Sequence, residues 1–261
     1  MKLKHFQVDA FSDEVFAGNP AGVCPLDAWL DDGLLQRIAA ENNQAETAFF
    51  VPAGDGYEIR WFTPVIEVAL CGHATLASAH VLFDRLGCTS AAIRFQTRRS
   101  GVLTVSRGEG MLVMDFPTRP PAPAPAPREL LAALGATPES SFLSEEDWLL
   151  VYPTPEAVRA ITPDMARLAR HSNRGVIVTA PGTDCDFVSR FFAPRAGIPE
   201  DPVTGSAHCV LIPYWAGRLG KTELHARQVS LRGGELFCRH RGQRVDIGGR
   251  AIVYLEGTIE I

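Results

Sequence analysis

The sequence predicts a mixed α/β (α+β) protein made of two similar domains, each a curved sheet around one apolar helix. The chain has 261 residues, enough for one large domain or two ordinary ones. Its most proline-rich stretch, PPAPAPAP at residues 120–127, lies near the middle. Alternating proline continues neither a helix nor a central strand and favours an extended spacer. We therefore expect one domain over residues 1–117 and a second over residues 118–261.

The two halves repeat one arrangement of motifs. Phe62-Thr63-Pro64 precedes Gly72 in the first half, and Phe192-Ala193-Pro194 precedes Gly205 in the second. In each half an apolar stretch then runs to another glycine, at the same spacing from the first. Several matching spacings together suggest a duplicated α/β unit.

Each half centres on a segment that is apolar nearly all round, His73–Asp84 in the first and Ser206–Arg218 in the second. A helix without a polar face is one that protein surrounds. Tyr57–Phe62 and Val176–Ala180 have the composition of flanking strands. We expect Pro213 to kink or shorten the second helix, because proline removes a backbone hydrogen bond.

Composition excludes several classes of protein. Apolar residues make up 46% and charged residues 21% of the chain, and the net charge is −5; these values are typical of a globular protein and favour neither nucleic acid nor an anionic membrane. A basic C-terminal run is interrupted by Glu235 and Asp246 and lacks an aromatic stacking pattern, so we expect no nucleic-acid partner. No stretch approaches the roughly 18 apolar residues of a membrane span, and the alternating first residues predict a strand instead of a signal peptide.

The cysteines and glycines also limit the possible cofactors and location. None of the six cysteines forms a CxxC pair or lies at zinc-ligand spacing to histidines, which favours a reduced, cytoplasmic protein. The sequence has neither a Gly-x-Gly-x-x-Gly after a strand nor a Walker-type loop, so a nucleotide cofactor lacks support.

Both central helices are predicted to begin after a glycine, Gly72 in Cys71-Gly72-His73-Ala74 and Gly205 in Thr204-Gly205-Ser206-Ala207. A helix start presents unpaired N–H groups and the positive end of the helix dipole. Two such starts that face one cleft would bind an anion, such as a carboxylate. Each glycine alone is also explained by an ordinary turn.

Two further side chains are candidates for acid–base chemistry, and a third, Asp201, is uninformative by itself. Glu46 lies in a predicted strand on one face with Ala48 and Phe50, and a carboxyl group on an apolar face favours its protonated form; a glutamate at a strand end that reaches water is the alternative. His73 lies at a helix start, where the dipole favours the neutral ring. Asp201 precedes a proline, a position that also suits a plain turn or cap. Structural roles remain open for all three.

Five motifs in order resemble the phenazine-biosynthesis (PhzF-like) isomerase family and span residues 16–207. They are Phe16-Ala17-Gly18-Asn19-Pro20-Ala21-Gly22-Val23, Glu46-Thr47-Ala48-Phe49, Phe62-Thr63-Pro64, Cys71-Gly72-His73-Ala74-Thr75 and Asp201-Pro202-Val203-Thr204-Gly205-Ser206-Ala207. The resemblance implies the diaminopimelate-epimerase-like fold, with two similar domains that are barrel-like, mostly antiparallel sheets around a central helix. It also implies an active-site cleft between the domains and a last strand, about residues 250–261, that can return to the first domain.

The resemblance further implies a cofactor-independent isomerase without a metal, active on a small carboxylate. The best-known family member isomerises trans-2,3-dihydro-3-hydroxyanthranilate by moving a proton. Carried over, the catalytic residues are Glu46, His73 and Asp201, and the residues expected to contact substrate are Gly72, Gly205 and Ser206. A homodimer is a further expectation from the family.

One position departs from the family, and two other functions stay open. Ala45 stands where a serine commonly precedes the catalytic glutamate, which puts the exact substrate in doubt. Epimerases of the same fold use two facing cysteines, but here only Cys71 lies at a helix start, while Cys209 lies about one turn into the second helix. The alternatives are an amino-acid epimerase or racemase, and a noncatalytic protein that binds small acids.

Overall fold

A computed structural model describes residues 1–108 and 110–261, which form eighteen strands and six α-helices. The strands are β1 Lys2–Ala10, β2 Asn19–Pro25, β3 Glu46–Ala53, β4 Gly56–Phe62, β5 Glu67–Val68, β6 Ala92–Thr97, β7 Val102–Arg107, β8 Leu112–Pro117, β9 Ala122–Pro123, β10 Ser140–Leu143, β11 Asp147–Val151, β12 Gly175–Pro181, β13 Phe187–Ala193, β14 Ile198–Asp201, β15 Glu223–Gln228, β16 Gly234–Arg241, β17 Arg244–Gly249 and β18 Ala251–Glu260. The helices are α1 Asp32–Asn42, α2 Gly72–Asp84, α3 Arg128–Leu134, α4 Pro155–Ala160, α5 Met165–His171 and α6 Gly205–Leu219. Among the described residues, no helix combines the length and the apolar character that crossing a membrane requires.

Internal contacts divide the chain into two compact units. The first comprises Met1–Asp115 and Gly248–Ile261, and the second comprises Phe116–Ile247. In the first unit, β1 pairs antiparallel with both β2 and the last strand, β18. From β2 the sheet continues with a parallel β3, an antiparallel β4 and a parallel β6, followed by antiparallel β7 and β8.

The second unit repeats this order of pairings. β10 pairs antiparallel with β11, and β11 pairs parallel with β12. β12 is antiparallel to β13, β13 is parallel to β15, and β15 is antiparallel to β16. Helix α6 precedes β15 as α2 precedes β6. The predicted mixed fold, with a mostly antiparallel sheet and a few helices, is confirmed.

The apolar helices α2 and α6 lie against these sheets as their composition predicted. Helix α2 packs on β1, β2 and β3, and ten of its thirteen residues are buried. Helix α6 packs on β15 and β16, and nine of its fifteen residues are buried. Burial on most sides explains why neither helix carries a polar stripe.

Of the two effects expected from Pro213, shortening of the second helix is wrong, because α6 continues through it to Leu219; a kink stays a prediction. Proline has no N–H, so the carbonyl of Cys209, four residues earlier, loses its helical partner. The backbone N–H of Arg119 donates to that carbonyl at 2.8 Å. A hydrogen bond from outside the helix therefore replaces the missing one.

An arginine–glutamate pair recurs at the same place in both units. Arg60 on β4 binds both oxygens of Glu67 on β5 at 2.8 Å, and its guanidinium lies 5.0 Å from the ring of Phe62. Arg190 on β13 binds both oxygens of Glu200 on β14 at 2.7 and 2.9 Å. Each glutamate stands five residues before the first residue of the unit's apolar helix. These pairs fix the strand that leads into each helix start.

The proline-rich run is extended, as predicted, but it is bound to the second unit. Ala122–Pro123 forms β9 and pairs with β10. The backbone N–H of Ala124 donates to the carbonyl of Ser141 at 3.1 Å, and the N–H of Ala126 donates to the Ser141 hydroxyl at 3.1 Å. The run therefore forms part of a packed unit instead of a free spacer.

Candidate active site

Glu46 is the first residue of β3 and is only 8% exposed. It lies opposite Ala21 in the parallel pairing with β2. The next five residues of β3 are also buried, so the strand is covered on both faces. The alternative of a strand-end glutamate that reaches water does not describe this side chain.

His73, the second residue of α2, faces Glu46. Its Nε2 lies 3.3 Å from Glu46 Oε2, and only 6% of the residue is exposed. Burial lowers the pKa of His73 to about 3, and a hydrogen bond with the backbone of Pro20 opposes that shift only in part. The ring is therefore neutral, as predicted. The main cause is burial, whereas the prediction was based on the helix dipole.

The first motif of the chain shapes the turn that precedes Pro20. Gly18 has φ = +65°, and a Cβ added there would lie 2.2 Å from the carbonyl oxygen of Ala10. Only glycine fits such a position without strain. The carboxylate of Asp9 accepts a hydrogen bond from the N–H of Phe16 at 2.9 Å and holds the same turn. The turn leads directly into β2, which carries the Pro20 backbone next to His73.

Cys71 completes a compact buried cluster with Glu46 and His73. Its Sγ lies 3.5 Å from His73 Nδ1, and one donor atom from each of the three residues lies within 4.8 Å of the others. Carboxylate, thiolate and imidazole are all metal ligands. The cluster could therefore hold a metal ion, and it could equally move a proton between its members.

Asp201 ends β14 in the second unit and is tied to the start of α6. Its Oδ2 accepts a hydrogen bond from the Thr204 hydroxyl at 2.5 Å. Gln228, which is 1% exposed, donates to the Asp201 carbonyl at 2.7 Å and accepts from the N–H of Thr204 at 2.9 Å. A side chain from β15 thus secures the loop that carries Asp201.

Gly205 and Ser206 are the first two residues of α6, as Gly72 and His73 are of α2. Within the described part of the chain, neither Thr204 nor Cys71 caps its helix with its own side chain. The first-turn N–H groups are therefore not taken by the capping residue. A hydroxyl on Ser206 is thus placed beside backbone donors.

Comparison with known proteins identifies the family. A model of the family described as phenazine biosynthesis-like protein matches residues 8–257. A relative from Pseudomonas aeruginosa, named an uncharacterized isomerase, is 54% identical over 261 residues that cover 100% of both chains. The chain belongs to the phenazine biosynthesis-like protein family. The resemblance read from the five motifs is confirmed.

Solved structures support the same membership. A phenazine biosynthesis protein of the PhzF family from Enterococcus faecalis is 46% identical, with a TM-score of 0.97 and 100% of both chains covered. A predicted epimerase of P. aeruginosa is 17% identical, with a TM-score of 0.73 over 98% of this chain and 99% of that one, and shares the fold. The family and its named relatives support a small-molecule isomerase.

The structure brings together the predicted residues of the first unit, Glu46, Gly72 and His73. Asp201, Gly205 and Ser206 lie next to one another in the second unit, and their membership of one site with the first three stays a prediction. Ala45, the departure from the family, is exposed just before β3.

The surroundings of Cys209, which lies one turn into α6, keep its thiol protonated. Burial raises the pKa of Cys209 to about 11, although Arg119, Arg174 and Arg244 oppose that shift. Its Sγ lies 3.8 Å from the Gly205 carbonyl. A thiol that keeps its proton at neutral pH is a poor base.

Sequence reasoning missed Gln228 and the pair Arg174–Asp147, which contact the predicted loop and helix start. Arg174 donates to Ser206 Oγ at 3.0 Å and binds both oxygens of Asp147. No local pattern marks these residues, because each acts on a segment far away in the chain. The one signal in the sequence was that each is a polar or charged residue next to, or at the end of, a strand of apolar residues.

Proposed function

We propose that the protein is a cofactor-independent isomerase in which Glu46 moves a proton between two carbon atoms of a small carboxylate-bearing substrate. The observation that carries the proposal is the buried pair of Glu46 and neutral His73, with 3.3 Å between Oε2 and Nε2. A positioned carboxyl group and a neutral imidazole are the usual groups for general acid–base catalysis.

The reaction balances without an external reagent. The Glu46 carboxylate takes a proton from a substrate carbon, so that a C–H bond breaks and an O–H bond forms while the double bond shifts. The same carboxyl group then returns a proton to a second carbon. Neutral His73 holds or relays the proton of Glu46, since a neutral imidazole offers one N–H and one acceptor nitrogen.

The substrate class is a small cyclic or amino-acid-like carboxylate, of which trans-2,3-dihydro-3-hydroxyanthranilate is one example. The N–H groups at helix starts bind anions, which supports substrate contacts for Gly72, Gly205 and Ser206. Asp201, held by Thr204, is proposed to orient the substrate or relay a proton. We also propose that the protein acts in the cytoplasm, which rests on the cysteine pattern, and that it forms a homodimer, which rests on the family.

The test is turnover of a panel of small cyclic and amino-acid carboxylates, including trans-2,3-dihydro-3-hydroxyanthranilate, followed by proton NMR. Glu46→Gln should fold as the wild type does, by circular dichroism, and lose at least about a hundredfold in kcat. Glu41→Gln, a change of the same type at an exposed position, is the control and should keep full turnover. An active Glu46→Gln variant would contradict the proposal. If the wild type bound members of the panel but turned none of them over, the result would favour a noncatalytic binding protein.

The absence of a metal requirement needs its own test, because Glu46, Cys71 and His73 could hold an ion. Dialysis against EDTA should leave the turnover rate unchanged, and metal analysis should find less than one ion per chain. Turnover that is lost with EDTA and restored by Zn²⁺ would contradict the cofactor-independent mechanism.

A further inference from the structure

Arg174 lies between α5 and β12, and its guanidinium joins two elements of the second unit, β11 and α6. Nε donates to Asp147 Oδ1 at 3.0 Å, and Nη2 donates to Asp147 Oδ2. Nη1 donates to the hydroxyl oxygen of Ser206 at 3.0 Å. One side chain thus connects a buried carboxylate on β11 with the first turn of α6.

The surroundings fix the guanidinium in this orientation. Asp147 is fully buried, and the N–H of Arg174 donates to the backbone carbonyl of Glu146 at 2.9 Å. The guanidinium lies 5.5 Å from the ring of Phe191. A Cβ at the next residue, Gly175, would lie 2.3 Å from that ring, so glycine is needed for the ring to lie there.

This contact determines what the Ser206 hydroxyl can do. A guanidinium only donates hydrogen bonds, so Ser206 Oγ is the acceptor. The hydroxyl hydrogen stays available for another acceptor, and donation from a charged group strengthens it as a donor. Because Asp147 neutralises the charge of Arg174, the arginine orients the hydroxyl more than it attracts an anion.

We infer that Arg174 is a positioning residue that aims the Ser206 hydroxyl at a carboxylate oxygen of the substrate. The inference rests on the proposed function, which places Ser206 against substrate. An anionic acceptor fits better than a neutral one, because Ser206 lies in the first turn of α6, where backbone N–H groups and the positive end of the helix dipole are directed outward. Arg174 therefore contributes to recognition of the acid group and takes no part in proton transfer.

The probe for this inference is anthranilate, a ring that carries a carboxylate beside an amino group, compared with its neutral amide, anthranilamide. Calorimetry would measure both Kd values for the wild type, Arg174→Met, Arg174→Lys, Ser206→Ala and the double variant. Arg170→Met, a change at an exposed position of α5, is the control and should bind as the wild type does.

Loss of one oriented hydrogen bond should weaken anthranilate binding about three- to tenfold in Arg174→Met and in Ser206→Ala, with little change for anthranilamide. The double variant should bind no more weakly than Ser206→Ala, because Arg174 acts through that hydroxyl. Arg174→Lys should restore part of the loss, since it keeps a donor but not the two-point contact with Asp147.

Three outcomes would overturn the inference. The fold losses in affinity could multiply in the double variant, the variants could lose equal affinity for both probes, or the wild type could bind both probes equally well. Melting curves of every variant show whether a loss of binding reflects unfolding. The two proposals fail separately, since loss of turnover in Glu46→Gln tests the proton transfer, whereas the anthranilate Kd values of the Arg174 and Ser206 variants test this inference. A Glu46→Gln variant that still isomerises refutes the proton-transfer mechanism without changing the binding result for Arg174.

Discussion

His73 Nε2 lies 3.3 Å from Glu46 Oε2, and both side chains are buried. The first is held at the start of α2 and the second at the start of β3, so two rigid elements fix their separation. A proton on either partner can bridge them, because neutral imidazole can donate or accept. This pair is the basis of the proposed chemistry.

The free energy of unfolding should fall as the pH falls from about 6.5 to 4. Burial lowers the pKa of His73 to about 3 and that of His208 to about 4. Below pH 6.5 the unfolded chain binds a proton at each ring that the folded chain does not, so acid favours unfolding by up to about 1.4 kcal/mol per pH unit for each ring. Urea denaturation at several pH values measures this slope, and NMR shows whether the two rings stay neutral. His208→Gln should make the slope shallower, and an unchanged slope would contradict the assignment.

Cys71→Ser should retain kcat/KM within about tenfold of the wild type. Serine still offers a hydrogen-bonding group near His73 Nδ1, which lies 3.5 Å from the thiol sulfur, and the proposed proton transfer does not need a thiol. The control is Cys88→Ser, a change of a partly exposed cysteine. Complete loss of turnover in Cys71→Ser, together with inversion of an amino acid at Cα by the wild type, would instead indicate a thiol-dependent epimerase.

Gln228→Met should destabilise the protein by about 2–4 kcal/mol. Methionine fills a similar volume but removes the hydrogen bonds to the Asp201 carbonyl and to the N–H and hydroxyl of Thr204, and it leaves buried polar groups unpaired. Urea denaturation measures the change in the free energy of unfolding. The control is Gln243→Met, at an exposed position, whose free energy of unfolding should lie within about 0.5 kcal/mol of the wild-type value. A Gln228→Met variant as stable as the control would show that the loop does not depend on this side chain.

Arg60→Lys and Arg190→Lys should each destabilise the protein by about 1–3 kcal/mol. Lysine cannot form the two parallel bonds that each arginine makes with its glutamate, and the Arg60 side chain is only 2% exposed. Arg94→Lys, which breaks an exposed contact with Asp55, should change stability by less than about 0.5 kcal/mol. If urea denaturation gave the same loss in the free energy of unfolding for all three variants, the repeated pairs would not stabilise the helix starts.

Much of the fold could be predicted from local patterns. The apolar composition of the two central helices and the patterns of several strands depend on neighbouring residues only, and the internal repeat predicted two similar units. The continuation of α6 through Pro213 could not be predicted, because it depends on the N–H of Arg119 from a distant segment. The binding of the proline-rich run to β10 is likewise a long-range contact.

The candidate site divides in the same way. Local patterns and the family motifs both predict Glu46 and His73 as site residues, and their burial follows from a strand and a helix that are apolar on most sides. Gln228 and Arg174 lie outside every motif, since their roles come from hydrogen bonds to segments far away in the chain. A hydrogen-bond partner at long range leaves no periodic signal in a sequence.

The most direct test of the central claim is incorporation of deuterium during turnover in D₂O. If Glu46 carries the proton, wild-type product should contain deuterium at the carbon that receives it, because the Glu46 carboxyl group, once it has taken the substrate proton, exchanges that proton with solvent before it protonates the second carbon. Glu46→Gln should give neither product nor deuterium, and Glu41→Gln should match the wild type. Product that Glu46→Gln forms with wild-type deuterium content would contradict the account.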